Sequence, residues 1–258
     1  MYSMIDIHCH ILPGIDDGAQ TIEDSVQMAK EAVREGITTI IATPHHKNRQ
    51  YDNEKTSILE KTAHLNKHLS NEGIPLTILP GQEVRIYGEI IDDYLAGGKI
   101  LPLAETSYLF IEFPSGHVPR YAERLLFDIQ TEGLTPIIVH PERNQEIIEN
   151  PDMLYKFVKN GALTQVTAGS VCGYFGKKIK KFSQQLIKAN LTHFVASDAH
   201  NVSTRSFKMV EAMGLLDKSY GMDTVYLFKE NAELLVQGKS IYKEVPEKVV
   251  RKKFFGIF

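Results

Sequence analysis

Cysteine is scarce in this chain of 258 residues, with only Cys9 and Cys172 present. Two thiols cannot build a disulfide framework. Neither fits a cysteine phosphatase, which places an arginine six positions after its nucleophile so that a loop of backbone amides cradles the phosphate. Ile15 stands six residues after Cys9, and Lys178 six after Cys172. Long apolar runs are also missing. None approaches the roughly 20 residues that span a bilayer, and the opening Met1-Tyr2-Ser3-Met4 lacks a basic region followed by an apolar one. A soluble, cytoplasmic protein without a membrane span is expected. The formal net charge is only -3 and the pI is near 6.4, so no global basic field exists to hold nucleic acid. Glycine fingerprints for nucleotides are absent too, since Gly14 and Gly18 lie among acids and Gly97-Gly98 run into Lys99 with no helix to follow.

What the chain has instead is an alternation of short apolar runs and amphipathic stretches, repeated about seven times. Thr21 and Asp24 resemble a capping pair, Val26, Ala29, Ala32 and Val33 form a stripe, and Gly36 is placed to end that helix. Ile37 to Thr43 reads as the next strand. Asp52 or Asn53 is expected to cap a second helix reaching about Asn71, and further helices are expected at Tyr121 to Glu132, Asp152 to Asn160, Lys177 to Asn190 and Ser203 to Met213. No linker, repeat or low-complexity tract interrupts the pattern. The length is one that α/β barrels use as a single unit, so one domain over residues 1–258 is expected.

The apolar runs stop on metal-ligand residue types. In the first, Ile5 to His10, strict alternation puts Ile5, Ile7 and Cys9 on one face and Asp6, His8 and His10 on the other, so the two imidazoles converge. Later runs end on His45, Glu83, Glu112 and His140, and the last on Asp198 and His200; Leu163 to Thr167 supplies no obvious ligand. Groups from the ends of six strands meet at one point only if the strands stand in a ring. This favours a distorted (β/α)7 barrel, with the site at the carboxyl ends of its strands, over an open sheet. A shell of imidazole and carboxylate without thiolate suits manganese, iron or zinc in an open catalytic site. Neighbours on an extended segment point opposite ways, so one of His45 and His46 and one of Asp16 and Asp17 should face the site. His64 and His68 lie i,i+4 on the second helix among Lys61, Asn66 and Lys67, which reads as a solvated face. His117 and His193 carry no partner motif and read as structural.

Taken together, His8-Cys9-His10 with Asp17 beyond it, Thr43-Pro44-His45, Gly81-Gln82-Glu83, His140-Pro141-Glu142-Arg143 and Ser197-Asp198-Ala199-His200 resemble the polymerase and histidinol phosphatase (PHP) family. The stretch Ile11-Leu12-Pro13-Gly14-Ile15-Asp16-Asp17-Gly18 and the pair Ile111-Glu112 are similar, more narrowly, to the CpsB/CapC/YwqE group of bacterial tyrosine-protein phosphatases. The resemblance runs from Met4 to about Arg205. It implies a PHP-type barrel with three metal ions. His8, His10, Glu83 and Asp198 would hold one, Glu83, Glu112 and His140 a second, and Asp17, His45 and His200 a third. The resemblance selects His45 and Asp17 from their pairs and points to manganese. It gives Arg143 and Arg205 the role of phosphate binding. It implies phosphotyrosine proteins as substrates and, as partner, a membrane-associated tyrosine kinase that controls capsule or exopolysaccharide synthesis.

Phe113, Tyr121, Tyr174 and Phe175 are candidate walls for the substrate ring, with core packing as the plain alternative. The same scaffold serves small-molecule phosphatases such as histidinol phosphatase, and nucleic-acid modules attached to polymerases. The acidic balance and missing polymerase domains weigh against the last. The tail Lys243 to Phe258 gathers Lys248, Arg251, Lys252 and Lys253 beside Phe254, Phe255, Ile257 and Phe258. It reads as a terminal segment packed on the barrel, with docking at an anionic membrane surface or a membrane-bound kinase as the weaker alternative.

Overall fold

Each strand of the computed structural model, which describes residues 4–250, is followed by a helix or a loop that returns the chain in parallel. Strand β1 (Met4–Cys9) leads to helix α1 (Ile22–Arg34), β2 (Ile37–Ala42) and β3 (His45–His46). Helix α2 (Lys55–Asn71) precedes β4 (Thr77–Pro80), β5 (Glu83–Arg85) and α3 (Ile90–Leu95). Then come β6 (Tyr108–Glu112), α4 (Ala122–Thr131), β7 (Thr135–Val139), α5 (Gln145–Glu149), α6 (Pro151–Lys159) and β8 (Leu163–Thr167). The last part comprises α7 (Ala168–Cys172), α8 (Lys177–Lys188), β9 (Phe194–Ala196), α9 (Met209–Tyr220) and α10 (Met222–Val236).

Local chemistry explains most boundaries. Thr21 and Asp24 form the reciprocal capping box at the start of α1, and Gly36 takes a φ of 76° beyond its end. Two expected helix starts are different. Helix α2 begins after Glu54 without a side-chain cap, because Asp52 reaches Lys47 (2.8 Å) and Asn53 donates to the carbonyls of Ile15 and His45, 2.9 Å each. Helix α9 starts at Met209 and not near Ser203. The Asn201 side chain accepts from the backbone N–H groups of Ser203 (2.9 Å) and Arg205 (3.0 Å), and so holds residues 201–205 as a turn. Helices α3, α5, α7 and α10 lie outside the expected set.

All the ladders are parallel. They fall into a three-stranded sheet, β1-β2-β4, and a six-stranded sheet, β3-β5-β6-β7-β8-β9. The continuous sevenfold ladder expected of a closed barrel is therefore not drawn. Two strand positions are interrupted, at Thr43-Pro44 between β2 and β3 and at Gly81-Gln82 between β4 and β5. Pro44 has no N–H to give a ladder, but its carbonyl accepts from Glu83 N at 3.0 Å. Strand β1 meets the other end of the six-stranded sheet through one bridge, Cys9 to Ala199. Two hydrogen bonds flank it, Asp198 N to His8 O (2.8 Å) and His10 N to Ala199 O (2.9 Å).

Alternate residues of the strands sort into two cores. Ile7, Ile41, Phe110, Ile137, Val139 and Phe194 share an inner cluster. Ile40, Ile138 and Val195 pack outward against helix residues such as Ala29, Leu65, Leu125 and Leu186. The strict alternation expected for β1 fails at this point. Ile5 and Ile7 join the inner cluster, but Cys9 joins the outer one. The β1–β2 register slips between Asp6 and Cys9, and the irregularity turns His8 inward until its ring lies 4.9 Å from that of Phe110. Thr43 secures the slip, its N–H donating to Cys9 O (2.9 Å) while its Oγ1 accepts from Cys9 N (3.1 Å).

No helix among the described residues is long and apolar enough to cross a membrane. Of the expected tail, Lys248 pairs with Asp152 at 3.7 Å and Val249 is buried; Arg251 to Phe258 lie outside the described residues.

Gly18 sits where backbone crosses backbone, and a Cβ there would stand 2.0 Å from the carbonyl oxygen of His10. Gly18→Ala should therefore lower unfolding stability by about 1–3 kcal/mol. Gly88→Ala, with nothing within 4 Å of the added carbon, should be near neutral. Chemical denaturation compares them, and equal midpoints would remove this crossing as a constraint.

Candidate metal centre

The end of β1, the first residue of β3 and the residue after β7 deliver their imidazoles to one carboxylate, Glu83, which opens β5. Glu83 Oε2 lies 3.5 Å from His8 Nε2, 3.4 Å from His10 Nε2 and 2.8 Å from His45 Nδ1. Glu83 Oε1 lies 2.7 Å from His140 Nε2. Asp198 Oδ1 stands 3.5 Å from both His8 and His10 Nε2 and 3.6 Å from His200 Nδ1. On the open side, Asp17 Oδ1 is 3.4 Å from His45 Nε2 and 3.3 Å from His200 Nε2, and Glu112 Oε2 is 3.7 Å from His45 Nδ1. All nine candidate ligands thus meet. Their atoms form three groups able to hold an ion: His8, His10 and Asp198; His45, Glu83 and Glu112; and His10, Asp17, His45 and His200. The second group has His45 where His140 was expected, because His140 is hydrogen-bonded to the other Glu83 oxygen.

Several of these atoms are buried without a hydrogen-bond partner: Glu83 Oε2, Glu112 Oε2, His45 Nδ1 and His200 Nε2. Leaving a buried polar atom unpaired costs about 1–3 kcal/mol. Lone pairs converging from carboxylates and imidazoles lack an electrophile, and a divalent cation supplies one. The donor set therefore fits metal ions.

Behind the front atoms stands a second set of contacts. His10 Nδ1 lies 2.7 Å from Asp16 Oδ2 and His8 Nδ1 lies 2.9 Å from Gln165 Oε1, so both rings turn Nε2 to the centre. Strand β8, which offered no ligand, thus contributes Gln165. Asp6 receives Ser197 N (2.9 Å) and Ser197 Oγ (2.5 Å) and ties β1 to the loop that carries Asp198. His140 and Asp198 adopt left-handed φ values of 35° and 53°, which cost on the order of 1–2 kcal/mol each and turn their side chains off the strand line into the centre.

Residues 4–237 match the family described as capsular polysaccharide synthesis, CpsB/CapC. The chain belongs to that family. It is 55% identical over 255 residues to tyrosine-protein phosphatase YwqE of Bacillus subtilis (strain 168), covering 99% of this chain and all of the relative. It is 37% identical to a putative tyrosine-protein phosphatase CapC of Staphylococcus aureus, across 98% of this chain and all of that one. A crystal structure in a study of YwqE from Bacillus subtilis and CpsB from Streptococcus pneumoniae, described as unique metal-dependent tyrosine phosphatases, superposes with a TM-score of 0.94. That match is at 54% identity and covers 96% of this chain and 100% of the other.

In this CpsB/CapC chain the titrating groups are strongly mutual. Burial alone would raise the Glu83 carboxyl, but His45 and His8 hold it well below the usual carboxylate range. Burial and the nearby Glu83 push Glu112 up to about 7. Burial lowers His140 to about 4, aided by Arg143, and lowers His200 to about 4, aided by His10. Neutral imidazole is the form that ligates. Burial also opposes charge on His45, yet Glu83 and Asp17 raise it to about 10.

Both expected arginines face Asp198. Arg143 Nη2 donates to Oδ2 at 2.5 Å and Arg205 Nη2 at 3.1 Å, while Arg205 Nη1 is 3.7 Å from Asp17. Arg85, which the motifs did not single out, donates to Glu112 Oε1 at 2.9 Å. These arginines, with Glu112 and His140, line a cavity of about 280 Å3. Phe175 lies under the Arg143 guanidinium, 5.1 Å from its carbon. Tyr174 is exposed, with its hydroxyl on Glu211 at 3.0 Å. Phe113 lines the cavity but packs on Phe157 in the core, and Tyr121 donates to Ile86 O at 3.2 Å.

The residues set aside stay apart. His46 is buried with Nδ1 3.1 Å from Asp52, His64 and His117 are exposed, and His193 accepts from Thr164 N at 3.1 Å. Burial raises the Cys9 thiol and pushes Cys172 up to about 12, far from a reactive thiolate.

Glu83→Ala should lose at least one bound metal ion, since four imidazoles face that carboxylate, while His46→Ala should keep full metal content despite some loss of stability. Elemental analysis after dialysis reads the difference. Equal metal content would show that Glu83 is not the hub.

Proposed function

We propose that this chain is a metal-dependent phosphomonoesterase that hydrolyses phosphotyrosine in proteins. One observation carries the reading: buried carboxylate and imidazole atoms without hydrogen-bond partners share a cavity with three guanidinium groups. The names of the relatives support it, YwqE being a tyrosine-protein phosphatase and the superposed structure belonging to metal-dependent tyrosine phosphatases. His8, His10, Glu83 and Asp198 would hold one ion, Glu83 and Glu112 with His140 or His45 a second, and Asp17, His45 and His200 a third. Manganese suits these donors, with iron and zinc as alternatives. When bound, such ions supply Lewis acidity toward phosphoryl oxygens and an activated water.

The chain's own residues do the positioning. Arg143 and Arg205 now share Asp198, and phosphate oxygens entering the cavity would offer the same guanidinium groups further, bidentate acceptors. Arg85 occupies one oxygen of Glu112 and so aims the other at His45. The Phe175 ring beneath Arg143 stiffens that side chain and leaves an apolar edge for the substrate ring. A tyrosine phenol has a pKa near 10, so phenolate leaves without a strong general acid. A single domain over residues 1–258, a cytoplasmic location and a membrane-associated tyrosine kinase as partner belong to the same proposal. The family's link to capsular polysaccharide synthesis supports the last.

Phosphate release with manganese should be fastest from a phosphotyrosine peptide, slower from its phosphoserine twin and from histidinol phosphate, and absent after exhaustive chelation. Full activity without metal, or equal rates on the two peptides, would overturn the reading. Arg143→Ala and Arg205→Ala should each lower kcat about 100-fold with metal content unchanged. A variant with normal kinetics would return that arginine to a structural role.

A further inference from the structure

On the outer wall between α4 and α6 runs a groove that the chemistry above does not use. Two hollows of about 460 Å3 and 510 Å3 share Glu123 and Asn160 and so join end to end. The floor is apolar: Leu126 and Phe157 are buried in it, and Phe127 remains 64% exposed. Phe127 and the half-buried Tyr155 leave an apolar strip along the trough, open to a partner's side chains. The edges are cationic. Among the described residues Arg124 is paired with Asp128 at 2.9 Å and Lys248 with Asp152 at 3.7 Å, but Arg120, Lys156 and Lys159 make no ion pair. Glu123 is the one acid of the groove without a cationic partner. Three unpaired cations against one unpaired acid beside an apolar trough, on a chain of net charge -3, select for an acidic segment carrying aromatic or aliphatic side chains. The concave shape suits an extended chain better than a flat lipid surface.

The groove also begins close to the catalytic cavity. Ser115 lines the cavity and Arg120 lines the groove, and five residues of chain span at most about 18 Å. A peptide anchored by its phosphotyrosine would reach the groove with about six residues. We infer that the α4–α6 groove docks an acidic, apolar-bearing segment of the phosphoprotein substrate, about six or more residues from the phosphotyrosine. The inference rests on the phosphatase reading above.

The test uses the manganese-loaded enzyme, p-nitrophenyl phosphate, and two long phosphotyrosine peptides. One carries three acidic residues and a phenylalanine starting six residues from the phosphotyrosine, placed on either side in turn; the other has serine at those places. Three exposed ion pairs together are worth about tenfold, so the acidic peptide should show about tenfold higher kcat/KM, fading with salt. The exposed-surface variants Lys156→Glu/Lys159→Glu and Phe127→Ser should lose that preference and keep the wild-type rate on p-nitrophenyl phosphate. Equal kcat/KM on the two peptides, or a preference that survives in the variants, would overturn the docking surface while leaving the phosphatase reading intact. So would variants that lose binding to anionic phospholipid vesicles with the peptide preference unchanged. No hydrolysis of any of the three substrates would overturn both.

Discussion

A carboxylate with no exposed surface, Glu83, faces four imidazole rings brought from three other strand positions, and the centre depends on that arrangement. An isolated buried carboxylate is heavily penalised unless it is paired. The rings of His8, His10, His45 and His140 offset the penalty only if the ends of β1 and β7 stand level with the starts of β3 and β5. Their register is thus coupled to one ionised group. The break at Gly81-Gln82 serves this demand. A Cβ on Gly81 would stand 2.6 Å from Ile41 Cγ2, so the chain passes close to β2 there and re-enters the ladder at Glu83. Gln82 fixes the crossing through Asn53 O (2.6 Å) and Leu101 N (3.1 Å).

Around that hub, rigidity comes from residues that never touch the cavity. Asp16 and Gln165 orient the two imidazoles of β1, Ser197 and Asp6 lock the Asp198 loop, and Glu142 receives Thr167 N (3.0 Å) and Ser170 Oγ (2.7 Å) to anchor the turn that carries Arg143. The left-handed backbone at His140 and Asp198 persists because these contacts over-determine it. The unpaired atoms at the centre are the part of this cost that a bound cation would remove.

Much of this was legible in the sequence, and what was not has physical reasons. The alternation of runs and the ligand types at their ends mark the parallel α/β plan and seven of the converging side chains, because strand ends and polar termini leave local signatures; Asp17 and the choice of His45 over His46 come from the family resemblance alone. The irregularity in β1 leaves none: Ile5 to His10 reads as perfect alternation, and only the pairing with β2 shows the slip. Gln165 and Arg85 were invisible for a related reason. An amide inside an apolar strand and an arginine two residues after a ligand acquire meaning only through partners 157 and 27 residues away. Helix α9 starts later than its sequence suggests because Asn201 captures backbone N–H groups that a helix would otherwise use.

The seam between β1 and β9 has a consequence for how the protein comes into being. His8 and Asp198 belong to one cluster, Cys9 is bridged to Ala199, and Asp6 binds Ser197 across 191 residues of sequence. A nascent chain that has already made His8 and His10 lacks the last carboxylate and arginine until Asp198 and Arg205 have been added. Contacts of such separation form late, after the loops between them have closed. The ion-binding cluster is thus a report on completed folding, and a prematurely ended chain of 190 residues would hold the early ligands without the centre they serve.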